Sequence, residues 1–128
     1  GFMHNIITAG QFKEWEVVKV NKWGQRQTRM FGVDPDRITN RKVKKTRYLY
    51  TENVSRSSRP MTSISRIDVP DALGTRFKIT FNEDGKDNHI EYAASSNRDR
   101  AEILAKLEYI LKEVHKKDTT LLIVTPES

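Results

Sequence analysis

The 128-residue chain has no cysteine, which excludes a disulfide framework and any thiolate metal site. It also lacks an apolar run near the ~20 residues that a membrane-spanning helix requires. The opening residues Gly1-Phe2-Met3-His4-Asn5 show no charged region leading into a long apolar one, so no secretory signal is predicted. The expected compartment is the cytoplasm. Hydrophobic residues make up 36% of the chain and charged residues 31%, enough for one modest core and hence one domain. The histidines, His4, His89 and His115, are scattered, with no carboxylate spaced to complete a metal site. Neither G-x-S-x-G nor G-x-x-x-x-G-K-[ST] occurs. Glu14/Glu16 and Glu83/Asp84 read as exposed strand or loop acids, not as a perturbed acid–base pair. The expectation is a non-enzymatic domain with no catalytic residue, metal or cofactor.

What is present is positive charge, unevenly placed. The chain carries a formal +6, yet between Lys19 and Arg59 twelve cations face only three acids, Asp34, Asp36 and Glu52. The remainder is therefore slightly acidic, and the molecule has a directional field suited to an anionic partner. Few aromatics accompany this basic stretch, Tyr48 and Tyr50 being the close candidates for base stacking, so nucleic acid is disfavoured. Ser57 and Ser58, between Arg56 and Arg59, have the look of kinase sites but also of ordinary loop serines.

Most of the chain has a two-residue period. Glu14 to Lys22 reads as a strand, Trp23-Gly24 as a tight turn and Gln25 to Val33 as the returning strand. A turn at Asp34-Pro35-Asp36 leads to a short third strand, Arg37 to Asn40. Arg41 to Ser63 is hard to assign, and Ser55 to Pro60 has the composition of a mobile loop. Ile64, Ile67 and Val69 mark an edge-like strand. Arg76 to Phe81 and His89 to Ala94 alternate cleanly around a polar hairpin loop. The period then lengthens to 3.6: Ile103, Leu104, Leu107, Ile110, Leu111 and Val114 form one stripe of a helix from Ser96 to about His115. Ser96 or Asn97 serves as its N-cap. The run Leu121-Leu122-Ile123-Val124 either pairs with a sheet edge or leads into a larger protein.

About seven short strands followed by one helix resemble the pleckstrin-homology (PH)-like superfold. The expectation is mainly β (α+β): a partly open antiparallel barrel capped by one C-terminal helix. Arg29-Met30-Phe31-Gly32-Val33 is similar to the R-x-(aromatic)-x-(aliphatic) pattern of phosphoinositide-binding PH domains, with Lys19 closing the first strand. Gln27 stands where that pattern has a cation, and the helix lacks the tryptophan common in the family. Gly74 to Phe81 is also similar to PH-like segments of large endosomal J-domain proteins. The resemblance divides the chain into an N-terminal extension (1–13), a PH-like domain (14–117) and a C-terminal tail (118–128), within a larger multidomain protein.

Alternation gives the basic hairpin a physical logic of its own. Trp15, Val17 and Lys19 share one face of the first strand, and Val33, Phe31 and Arg29 share one face of the second. With the apolar pairs inside, Lys19 and Arg29 fall at the open mouth. Lys22 and Arg26 flank the turn, and Arg41, Lys42, Lys44 and Lys45 are placed to form a second wall. Such a cluster suits phosphate. The resemblance implies a phosphoinositide headgroup bound by Lys19, Lys22, Arg26, Arg29, Arg41 and Lys42, targeting a protein to a membrane periphery. The alternative is a protein-interaction domain that takes an acidic partner, or a peptide in the groove between the helix and the edge near Ile64 to Val69.

Overall fold

The computed structural model describes residues 10–45 and 51–126. Eight strands, β1 (Lys13–Val20), β2 (Arg26–Val33), β3 (Arg37–Lys45), β4 (Thr51–Pro60), β5 (Ile64–Asp68), β6 (Arg76–Glu83), β7 (Lys86–Ala94) and β8 (Ile123–Val124), form one sheet. Their order is β4-β3-β2-β1-β7-β6-β5-β8. Every pairing is antiparallel except β5 with β8. Arg59 of β4 lies 3.0 Å from Glu83 and 5.2 Å from the Phe81 ring of β6, although four strands separate β4 from β6 in the hydrogen-bonded order. The sheet has therefore curled until its flanks meet, giving the partly open barrel.

Turn chemistry sets the register. Gly24 adopts φ 83° in the β1–β2 turn, and the Asn21 side chain accepts bonds from the Trp23 and Gln25 amides at 3.0 and 2.9 Å, an Asx-type turn. Asp84 and Gly85, at φ 54° and 78°, make the two-residue β6–β7 turn that suits strand twist. Trp15 then stands opposite Phe31, and Val17 opposite Arg29. Trp15, Val17, Phe31 and Val33 join Phe77, Ile79, Phe81, Ile90 and Tyr92 in the core. The rings of Phe31, Phe77 and Tyr92 pack 4.9–5.7 Å apart.

The helix α1 (Asn97–Tyr109) begins where its cap chemistry predicts: Ser96 Oγ accepts from the Asp99 amide at 3.1 Å. It continues as a π turn over Ile110–Val114. Ile103, Leu107, Ile110 and Leu111 are buried and Leu104 partly so, but Val114 is 48% exposed. The wider i→i+5 turn, seen in the bond from His115 N to Ile110 O, rotates Val114 off the predicted stripe. Arg100, on the helix's first turn, is buried. It donates to Asp71 Oδ1, Asp71 O and Arg76 O at 2.9–3.0 Å, tying the helix to the β5–β6 loop.

Two sequence expectations need correction. The third strand runs to Lys45, and Ser55 to Pro60 is not a loop but the end of β4, paired with β3 from Arg37↔Pro60 to Lys45↔Thr51. Serine and arginine disfavour burial, yet an edge strand needs only its main chain to pair, and fully buried Met61 anchors its end. Tyr48 and Tyr50 lie outside the described residues. The run after the helix does pair with a sheet edge, through β8.

Candidate functional site

Four cations from four strands converge on the inner face near the open end. Lys19 lies across from Gln27 in the β1–β2 register, and Arg29 follows on the same face. Lys42 of β3 and Arg59 of β4 complete the group: with Arg29 they act electrostatically on Lys19. Lys19 is held below the ordinary lysine pKa, first by partial burial and then by the charges of Arg29, Arg59 and Lys42. The Arg29 guanidinium is oriented by two bonds, one to the Thr28 carbonyl at 2.8 Å and one to Gln27 Oε1 at 3.2 Å. Gln27 thus serves as a positioning group for a neighbouring cation. Beneath lies Tyr92, whose hydroxyl donates to Asn40 Oδ1 at 2.9 Å. Burial pushes its pKa well up, against the charges of Arg59 and Arg29. Glu83, paired with Arg59, is the carboxylate at the rim.

Of the six residues expected from the sequence, Lys19, Arg29 and Lys42 come together. Lys22 and Arg26 stand at the rim. Lys22 Nζ sits 4.2 Å from the Trp23 ring centroid, and exposed Arg26 opens β2 opposite Val20 on the outer face. Arg41 is a correction. One step from Lys42, it takes the other face of β3 and forms a bidentate pair with Glu14, Nε–Oε2 2.6 Å and Nη2–Oε1 2.9 Å. That bond, more than any other influence, raises its pKa. Each such charged bond contributes about 1.5–3 kcal/mol, so Arg41 would have to surrender its partner to reach a ligand on the far side. Arg59 is absent from the sequence-predicted set because its segment reads as a loop. Counting two-residue steps back from Met61 would have found it.

The arrangement can bind a multiply charged anion: two guanidiniums offer planar donor forks, and two ammoniums add mobile point charges. Trp23, 66% exposed, stands at the tip of the adjoining turn. Among the described residues no group of histidines and carboxylates could hold a metal, and no helix is long and apolar enough to cross a membrane.

A family model described as SAPK-interacting protein 1 (Sin1), pleckstrin-homology, matches residues 10–113. The Ras-interacting protein RIP3 of Dictyostelium discoideum is 33% identical over 78 residues, 61% of this chain and 8% of its own length. The human ARAP2 N-terminal PH domain superposes with a TM-score of 0.63 at 17% identity, covering 85% of this chain and 86% of that one. The Slm1 PH domain, solved with inositol-4-phosphate, gives 0.61 at 10% identity, covering 77% and 94%.

Proposed function

The chain belongs to the Sin1 pleckstrin-homology family, and from that premise we propose that it holds a larger protein at a membrane by binding a phosphoinositide headgroup. Families of this fold are binding modules, and no catalysis is asked of it. The observation that carries the reading is the convergence of Arg29, Arg59 and Lys42 on Lys19, where their charges add to partial burial in lowering the Lys19 pKa. A partly buried set of like charges is stabilised by an anion that it can share. The headgroup phosphates supply that charge, and the Slm1 PH domain was solved with a ligand of this class. Trp23 and Lys22 at the turn tip suit the interfacial zone of a bilayer, where an indole and a lysine are both at home.

The test is co-sedimentation with vesicles carrying each phosphoinositide in turn, with salt varied. Stereoselective binding that persists near about 0.15 M salt is expected of a built site, because diffuse surface attraction is largely screened there. Lys19→Gln with Arg29→Gln should abolish it. Equal binding by that double variant and the parent overturns the headgroup reading.

A protein partner is the second reading. One relative bears the name Ras-interacting protein, and the DH/PH domains of PDZ-RhoGEF, 11% identical here, were crystallised with RhoA. On that reading the double variant keeps its partner, and vesicles are bound without headgroup preference.

A further inference from the structure

The outer edge of β5 is the natural place for another strand to add, and the chain's own C-terminal residues already occupy it. After the helix, Lys116 turns the chain in the left-handed region at φ 56°, a conformation that a side-chain-bearing residue adopts only at a cost. Lys117 Nζ then donates to the carbonyls of Thr62 and Ile64 at 2.8 and 3.0 Å, pinning the segment beside the start of β5. Asp118 caps α2 (Thr119–Leu122) by accepting from the Thr120 amide at 3.1 Å and from its hydroxyl at 2.6 Å. Leu122 enters the core. Ile123 and Val124 pair in parallel with Ile67 and Asp68, and the Val69 amide donates to the Val124 carbonyl at 2.9 Å.

Among the described side chains of the strap, Leu122 and Thr119 are buried, the strand part is two residues long, Ile123 and Val124 are half-buried, and Thr125 and Pro126 are exposed. The main-chain bonds that seat β8 are of a kind that any extended peptide can make. We propose that residues 117–124 form a strap that is an exchangeable occupant of a peptide groove. When the strap lifts, the groove takes an extended peptide parallel to β5. That peptide carries an aliphatic side chain in the seat of Leu122 and two β-branched residues after it. The groove closed by its own chain is therefore open only to a partner that out-competes Leu122. This inference is independent of the headgroup site, since no residue of the Lys19 cluster takes part.

The first measurement is amide hydrogen exchange on the unaltered chain. Strap release predicts that the Val69 amide exchanges at least about tenfold faster than those of Ile79 and Ile90, because local opening needs less free energy than global unfolding. Lys117→Gln should speed Val69 further and leave Ile79 and Ile90 unchanged. Exchange of Val69 at the core rate would make the strap a fixed part of the core and overturn the proposal. The second measurement adds a synthetic peptide of residues 117–126 to a Leu122→Asp variant and follows amide shifts. Shifts at Ile67, Asp68 and Val69, absent with a peptide carrying Asp for Leu122, are expected. A folded variant with no such shifts, or with shifts indifferent to the peptide's leucine, would overturn it. Should Leu122→Asp not fold, the exchange experiment still decides.

Discussion

Lys19 bears its charge against partial burial and three neighbouring cations, and both hold its pKa below the usual 10.5. The sign of the consequence is plain: the protonated form is lost as pH rises through that depressed value, before exposed lysines titrate. Affinity for a free inositol phosphate should therefore fall on the alkaline side below pH 10.5. Calorimetric titration across that range should show the fall in the parent and not in Lys19→Gln. On the headgroup reading, exposed Trp23 gives a means of telling a bilayer contribution from a headgroup contribution. Trp23→Ala should weaken vesicle binding by roughly tenfold, as expected for loss of an interfacial aromatic anchor, and leave binding of the free headgroup nearly unchanged. The sequence shows Lys19 and Arg29 because a period of two puts each on the same face as a core aromatic. It does not separate Arg41 from Lys42, since a one-residue step decides the face and Glu14, the partner that claims Arg41, is 27 positions away. Arg59 is hidden for another reason: the serine- and arginine-rich composition of its segment reads as a loop, so no strand period is counted through it.

The elements divide in the same way. β1, β2, β6, β7 and α1 are legible because each buries one face against the core and so carries a period. β4 is not, because its place is fixed by main-chain pairing with β3, which leaves little mark on side-chain type. The π turn is likewise invisible, and its effect is to exclude Val114 from the core. Leu107→Ala should therefore cost about 2–5 kcal/mol, the range for a fully buried leucine. Val114→Ala should cost less than about 0.5 kcal/mol, as at an ordinary surface site. Denaturant melts of the two variants check the pair, and equal losses would place the turn against the core.

At the scale of the whole molecule, carboxylates fasten helix to sheet. Glu102 accepts from Lys13 and from Trp15 Nε1 at 3.0 and 3.2 Å, and the Lys13 bond leads in lowering its pKa below 4.5. Asp71 is lowered below 3.8, first by the Gly74 amide and then by Arg100. Depressed carboxyl values stabilise the folded state above the unfolded pKa, and that stability is lost as pH falls through the folded one. Acid unfolding should thus begin below about pH 4.5. Followed by near-ultraviolet circular dichroism, Glu102→Gln should remove the upper part of that transition. The crowded mouth has the opposite bearing on stability. Burial and the charges of Arg29, Arg59 and Lys42 hold the Lys19 pKa down, and on the headgroup reading the same effects count against the folded state when no anion is bound. Neutralising Lys19 and Arg29 should raise the melting temperature of the variant that has lost its ligand. Selection for thermal endurance alone would then erode the site.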